Sequence, residues 1–292
     1  MRILLFGKNG QLGWEFSNTL PALGEVIALG QSDLDISDTP ALQNTLNQLR
    51  PDLIINTSAY TEVDLAETNS DKAYQINALA PGTMAESARK LGAVFIHYST
   101  DYVFDGLSKT PYEEYDPTHP LNVYGSSKLM GEKNIAQAGD AYLILRTSWV
   151  YSMRGNSFVN KVLEWARNSK TLKIVGDQVS NPTWARALAG TTCNLLSQHK
   201  EALVERIRKE RGIYHLAGSG YISRFEWARQ ILINALGRGG QLTHTIEPVP
   251  SDEFPTPAQR PLFTALDCSR FENVFGLRLP GWEVSLRNAM RE

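Results

Sequence analysis

The sequence predicts an α/β protein: a doubly wound parallel sheet with a smaller, mainly C-terminal lobe. Three observations carry that expectation. Short continuous apolar runs alternate with helix-like segments through the first half, as parallel strands covered on both faces require. The first run, Arg2-Ile-Leu-Leu-Phe6, passes directly into a glycine turn, Gly7-Lys-Asn-Gly10-Gln-Leu-Gly13, at the mouth of a helix. Beyond Trp149 the alternation loosens, and residues 248–261 carry five prolines. A chain of 292 residues has ample core for one large domain or one and a half.

The first helix spans Gln11 to Leu20, with Pro21 as its stop. Gly7, Gly10 and Gly13 let the backbone turn tightly and approach a pyrophosphate, whose charge the helix amides and dipole favour. This turn is therefore read as a dinucleotide site. Val26-Ile-Ala-Leu29 is the second strand, followed by Gly30-Gln-Ser-Asp33, so no acid stands at the strand end. Repulsion of a 2′-phosphate is reduced there, and Lys8 or Arg2 is within range of it. NADPH is the expected cofactor, with NADH possible. Pro40 to Leu49 reads as a helix and Leu53-Ile-Ile-Asn56 as the third strand, ending in Thr57-Ser-Ala-Tyr60-Thr61. A loop from Glu62 to Asn69 leads to a helix from Asp71, continuing past Pro81 to Leu91; the proline marks a kink or a boundary.

Ala93-Val-Phe-Ile-His-Tyr98 is the fourth strand, and it delivers Ser99-Thr100-Asp101 to the carboxyl end of the sheet, where such sheets bind ligands. Residues 105–122 form a polar loop with three prolines. The stretch from Leu121 to Glu132 opens a helix with Tyr124 and Lys128 four residues apart, on one face. An ammonium beside a phenol favours the phenolate, so Tyr124 is expected to titrate below its free value of about 10 and to donate a proton to a carbonyl oxygen. Tyr142-Leu-Ile-Leu-Arg146 follows as a strand.

In the second half, Asn156–Asn168 reads as an amphipathic helix, Leu172–Val175 as a strand, and Trp184–Leu196 as a helix. Ile213–Ala217 looks like one more sheet strand, and Ser223 caps a helix running to Ala235. Residues 248–261, including Arg260, are expected as an ordered surface loop, with helices near Cys268–Phe275 and Glu283–Met290. The expected division is residues 1–148 as the dinucleotide-binding unit, with 184–217 returning to it, and 149–183 plus 218–292 as the substrate lobe.

Composition limits the partners. A net charge of −2 gives no pull toward nucleic acid or an anionic membrane. No apolar run approaches 18 residues, and Met1 to Phe6 runs straight into a strand, so a soluble cytoplasmic chain is expected. Cys193 and Cys268 lie far apart and read as reduced packing residues; the five histidines are scattered and suggest no metal site.

The set Gly7-x-x-Gly10-x-x-Gly13, Tyr98-Ser-Thr-Asp-Tyr-Val-Phe-Asp-Gly106, Tyr124-x-x-x-Lys128 and Arg146-Thr-Ser-Trp-Val-Tyr151 resembles the extended short-chain dehydrogenase/reductases. Within them the chain is similar to the dTDP-4-dehydrorhamnose reductases over nearly its whole length, including Asn181-Pro-Thr183 and the proline-rich run at 255–261. The resemblance implies a Rossmann-type sheet and NAD(P)H-dependent reduction of a dTDP-linked 4-keto sugar. It assigns proton donation to Tyr124, ribose binding to Lys128 and a hydrogen bond to the substrate oxygen to Thr100. Asn9, Gly10, Gln11 and Leu12 would line the pyrophosphate, while Asp35, Ile36, Ala59, Tyr60, Thr61 and Tyr98 would contact the rest of the cofactor. Thr100, Asp101 and Trp149 would touch the nucleotide sugar, and Arg260 its diphosphate.

Two departures from the family pattern stand out: Gly30 where relatives often carry an acid, and Trp184-Ala-Arg186 where some relatives carry the glutamate of a Mg²⁺ bridge, Glu15 alone being retained. No metal is expected, and either a monomer or a homodimer. Alternatives are another nucleotide-sugar reductase or epimerase, and a non-catalytic NADP-binding subunit similar to the regulatory subunit of methionine adenosyltransferase.

Overall fold

A computed structural model describes residues 1–235 and 240–291. Its centre is a sheet of six strands: β1 (Arg2–Phe6), β2 (Glu25–Leu29), β3 (Leu53–Asn56), β4 (Val94–Thr100), β5 (Tyr142–Thr147) and β6 (Gly212–His215). They lie in the order β6-β5-β4-β3-β1-β2, every neighbouring pair parallel. The order reverses between β1 and β3, and ligands bind at such a reversal, outside the carboxyl ends of the strands.

The apolar runs form strands because each has two covered faces. Ile3, Leu5, Leu53, Ile55, Val94, Ile96, Leu143 and Leu145 point to one side, into a core with Phe16 and Leu188. Leu4, Phe6, Ile54, Phe95 and Ile144 point to the other, against Leu42, Leu46, Met84 and Ile135. Each fully buried side chain of this kind contributes about 1.5–3 kcal/mol. The first layer is α1 (Gln11–Thr19) with α5 (Ala185–Gln198); the second is α2 (Thr39–Leu49), α3 (Ala80–Leu91) and α4 (Val123–Ala138).

In the stretch expected as helix from Asp71 through Leu91, Pro81 marks a boundary and not a kink. Ser70–Tyr74 is α-helical, Gln75–Leu79 forms a wider π-helical turn, and α3 begins at Ala80 with Pro81 in its first turn. The widened turn points Asn77 toward the end of β3 and α4: its amide bonds both backbone groups of Tyr60 and the Ser127 hydroxyl.

A second core collects Tyr151, Val159, Val162, Trp227, Ile231, Trp282 and Leu286. Its helices are Phe158–Asn168, Arg224–Asn234 and Trp282–Ala289, the second capped by the Ser223 hydroxyl. Thr171–Val175 pairs in parallel with Thr245–Val249, so Pro248, read as loop, sits in a strand. A two-stranded ribbon consists of edges only, and an edge tolerates a residue without an N–H. A helix at Leu203–Lys209 went unanticipated. The lobe expected over 218–292 includes residues 236–239 and 292, which lie outside the described residues. Among the described residues no helix is long and apolar enough to cross a membrane.

Candidate active site

The glycine turn sits at the carboxyl end of β1, beside the reversal of the sheet order and tied to the end of β2. Gly7 and Lys8 both donate their N–H groups to Leu29 O, at 2.8 and 3.2 Å. Gly7 has φ +90°, a left-handed backbone, and a Cβ there would lie 2.6 Å from Thr57 Oγ1. A Cβ on Gly13 would lie 1.9 Å from Gly7 O. The middle glycine differs: a Cβ on Gly10 would meet only Gly7 O at 3.4 Å, an ordinary contact. Helix α1 has no side-chain cap and no acid in its first turn. The Gln11 Oε1 atom is buried without a partner. An uncapped helix start, an open Gly10 and an orphaned acceptor together fit an anionic dinucleotide with donors of its own.

The other expected cofactor residues are placed unevenly around this turn. The Asn9 side chain lies against Gly30, where a Cβ would come within 2.8 Å of Nδ2. Asp35 accepts from the Ser37 N–H and hydroxyl, which hold its carboxyl below the usual range. Leu12 and Ile36 bury their side chains in the two cores, leaving main chain for a ligand. Ala59, Tyr60 and Thr61 follow β3, with Tyr60 fastened through its backbone by Asn77. The Tyr98 phenol points into the core, 2.6 Å from Thr192 Oγ1, so only its backbone faces Lys128.

Two expectations about the ribose end are corrected. Arg2 is spent at the far end of β1, on Leu49 O and Glu25. An acid does reach the end of β2: Asp33 accepts the Gly30 N–H at 2.8 Å and pairs with Lys8 at 2.6 Å. Lys8 and Gly30, in that order, hold its carboxyl below the usual range.

Tyr124, Lys128 and Thr100 meet at the carboxyl end of β4. Asn122 caps α4 by accepting the Gly125 N–H at 2.8 Å, and its amide donates to Gln259 O at 2.7 Å. A Cβ on Gly125 would lie 2.2 Å from Tyr102 O, so glycine lets the helix start press onto the Asp101–Val103 turn. The Tyr124 ring meets the Tyr102 ring edge-on at 5.8 Å. Thr100 donates to Asp101 Oδ1 at 3.1 Å and accepts the Tyr102 N–H at 3.2 Å. Its hydrogen is therefore directed at Asp101, not at an open substrate position. Asp101 also accepts from Thr264 at 2.5 Å and Ser180 at 3.2 Å, and burial still raises its carboxyl to about 6.

The expected lowering of the Tyr124 phenol is overturned. Burial pushes it up, and hydrogen bonding to Thr100 offsets this only in part. The Lys128 ammonium is not placed on the phenol: Nζ lies 2.6 Å from Tyr98 O and 3.1 Å from His97 Nε2. Helical spacing put both residues on one face, but the lysine reaches inward to the sheet. Its own value falls to about 8 through burial, opposed by Glu132. The Glu132 carboxylate is held in turn by Arg146, at 2.7 and 2.9 Å, and by Ser99 at 2.5 Å.

Among the residues expected on the sugar, Trp149 adopts φ +39°, a left-handed strain of about 1–3 kcal/mol for a bulky residue, and stacks on Trp227 at 5.4 Å. Arg260 is tied down by Asp64, at 2.7 and 3.0 Å, and by Ala258 O. Arg224 lies over the Trp149 ring at 4.4 Å and the Phe158 ring at 4.8 Å, with Nε on Gln178. Glu15 is buried and paired with Arg186 at 3.1 Å.

Residues 1–292 match the family described as RmlD substrate binding domain. The chain belongs to this family. It is 38% identical to a dTDP-4-dehydrorhamnose reductase of Salmonella typhimurium, covering 100% of this chain and 98% of the relative. A crystal structure of a dTDP-4-dehydrorhamnose reductase from Clostridium acetobutylicum superposes with a TM-score of 0.91 at 34% identity, covering 100% and 99% of the two chains. Another from Bacillus anthracis, solved in complex with NADP, gives 0.89 at 31% identity, covering 99% and 98%.

Within the RmlD family frame, three residues escaped sequence reasoning. His97 was read only as part of a strand; nothing in its spacing marked it. Asp33 stands four residues beyond Leu29, too far along the sequence to mark a strand-end acid, yet the chain folds back to bring it to the strand end. Arg224 carried a signal: a cation directly after the Ser223 cap opposes the helix dipole, which favours acids there.

Proposed function

We propose that the chain is an NADPH-dependent reductase that converts dTDP-6-deoxy-L-lyxo-4-hexulose to dTDP-L-rhamnose, the last step of dTDP-rhamnose biosynthesis. The observation that carries this reading is the meeting of Tyr124, Lys128 and Thr100 at the carboxyl end of β4 in a chain of this family. NADPH, when bound, supplies the hydride that adds to the sugar C4. The chain's residues do the rest. Tyr124 gives its phenol proton to the C4 oxygen as negative charge develops there; burial keeps the phenol protonated until it is needed. Lys128, one helical turn along α4, is the basic nitrogen from which Tyr124 is reprotonated, and it binds the nicotinamide ribose. Thr100 positions the phenol, itself oriented by Asp101.

Gly7, Asn9, Gly10, Gln11, Leu12 and Gly13 hold the pyrophosphate, with Asp35, Ile36, Ala59, Tyr60, Thr61 and Tyr98 around the remaining cofactor. Asp101 and Trp149 contact the sugar. Arg224 joins Arg260 as a cation for its diphosphate, and it is the less committed of the two, since Arg260 already carries Asp64. Residues 1–148 with 184–217 form the cofactor unit, and 149–183 with 218–292 the substrate lobe, which has a core of its own; Phe271, Phe275 and Leu279 nevertheless pack into the sheet core, so that stretch lies with the cofactor unit. The reaction runs in the cytoplasm, which suits the free thiols of Cys193 and Cys268. The working unit is a monomer or homodimer, without nucleic acid or membrane.

The test is oxidation of NADPH and of NADH with freshly generated dTDP-6-deoxy-L-lyxo-4-hexulose, with the product identified. Formation of dTDP-L-rhamnose is expected. Turnover of a GDP-linked 4-keto sugar, and none of the dTDP-linked one, would move the chain to another nucleotide-sugar reductase.

A further inference from the structure

Asn56, His97 and Lys128 run inward from the catalytic centre as a buried chain, and their hydrogen bonds have a direction. The Ser58 N–H donates to Asn56 Oδ1 at 3.0 Å, so the group Asn56 presents to His97 Nδ1, at 3.1 Å, is its amide nitrogen, a donor. His97 Nδ1 must then accept and carry no hydrogen. Burial first, and the Lys128 charge second, hold His97 well below its ordinary value, so the ring is neutral. Its one hydrogen is therefore on Nε2, which lies 3.1 Å from Lys128 Nζ. An Nε2–H needs a lone pair opposite it. An amine has one; an ammonium has none. The second contact, from Nζ to Tyr98 O at 2.6 Å, uses one amine hydrogen.

We propose that His97 is a positioning residue whose Nε2–H tautomer favours Lys128 as the amine, and that charging Lys128 requires His97 to change tautomer and the Asn56 amide to turn over. In the charged arrangement Lys128 donates to Nε2, Nδ1–H donates to Asn56 Oδ1, and the Asn56 amide nitrogen faces the Ser58 N–H, donor against donor. The hydrogen bond from the Ser58 N–H to Asn56 is lost, which favours the amine. Among the described residues the one anion acting on Lys128 is Glu132, and it is already engaged. Glu132, on its own helix, is held by Arg146 of β5 and Ser99 of β4. Tyr124 is a neutral phenol, the Tyr98 phenol is turned to Thr192, and β3 presents Asn56, an uncharged amide.

The consequence for catalysis rests on the reductase reading given above. The proton that restores the Tyr124 phenolate leaves the Lys128 ammonium, and the amine that remains is the state the chain accepts. His97 thereby favours delivery of the proton, and solvent recharges Lys128 afterwards.

The tautomer is measured in the cofactor-free protein, so the test stands whether or not the reductase assay succeeds. Histidine labelled with ¹⁵N is followed as pH crosses the Lys128 titration near 8, with His97→Gln assigning the signal and the Lys128 Nζ resonance followed in parallel. Above the midpoint Nε2 should carry the hydrogen. As Lys128 takes up its proton the hydrogen should move to Nδ1, with the ring neutral throughout. An Nδ1–H tautomer above the midpoint, or one that does not change as Lys128 titrates, overturns the proposal. Asn56→Asp supplies a carboxylate that only accepts, fixing Nδ1–H; the Lys128 midpoint should rise by about one unit or more. A folded Asn56→Asp protein with an unmoved midpoint overturns it equally.

Discussion

The glycine turn and the sugar-facing cleft are built by different means. The turn is a backbone object: Gly7 needs its left-handed φ, Gly13 has no room for a Cβ, and all contacts fall within residues 7–13 and two neighbouring strand ends. The cleft is a side-chain object assembled from far along the chain. Asp101 is held by Ser180 and Thr264, Arg260 by Asp64, and Arg224 lies on Trp149. Backbone demands select residue types at fixed spacing, whereas a charged side chain chooses among partners according to which are buried and already engaged.

The largest effect should come where the two regions meet. Tyr124→Phe removes the only proton assigned to the sugar oxygen while leaving the turn intact. Turnover should fall at least about 100-fold, with NADPH binding unchanged by titration calorimetry. Full activity would remove Tyr124 from the mechanism.

Asp101 tests the cleft through stability. Its folded value of about 6 lies above its ordinary 3.8, so the folded protein keeps a proton that the unfolded chain releases between those values. The contribution is complete below about pH 4 and is lost as pH rises through 6, a cost of about 3 kcal/mol by neutral pH. Denaturant unfolding of wild type should weaken over that window relative to Asp101→Asn. Parallel curves would mean the carboxyl is not raised.

The glycines separate backbone need from ligand need. Gly13→Ala drives a Cβ into Gly7 O and should lower unfolding free energy by about 1–3 kcal/mol. Gly10→Ala meets nothing closer than 3.4 Å and should leave thermal stability nearly unchanged while raising the KM for NADPH. Equal losses of stability would erase the distinction between the two positions.

Arg224→Gln tests the assignment of the cleft cation. Loss of a charge-assisted bond to the diphosphate should raise the sugar KM about tenfold with kcat little changed. An unchanged KM would return that role to Arg260 alone.

These contrasts also explain what could be read in advance. Buried strands such as Leu53–Asn56 announce themselves because both faces must be apolar, and the Gly7–Gly13 spacing because only glycine satisfies it. The Tyr124–Lys128 pair was found by helical period, yet its electrostatics was misread: period fixes the face a side chain leaves from, not the acceptor it reaches. Lys128 found Tyr98 O and His97 on a strand thirty residues away in sequence. Pro248 was misplaced for a related reason, since an edge strand imposes no donor that proline would lack.

Asp33 offers the smallest and most discriminating effect, because it belongs to both kinds of region. Its backbone contact to Gly30 is local, and its pairing with Lys8 is a choice between partners. A ribose 2′-hydroxyl would donate to the Asp33 carboxylate, whereas a 2′-phosphate would be repelled by it and drawn to Lys8. Both side chains are about one-third exposed, so solvent screening keeps either preference modest. Asp33→Asn should therefore raise the ratio of kcat/KM for NADPH over NADH by about two- to fivefold. Lys8→Ala should lower it by a similar factor, with kcat on the sugar unchanged. Steady-state kinetics with both cofactors decides the matter: a ratio unmoved by either variant would take the pair out of cofactor choice and leave it a tie between the glycine turn and the end of β2.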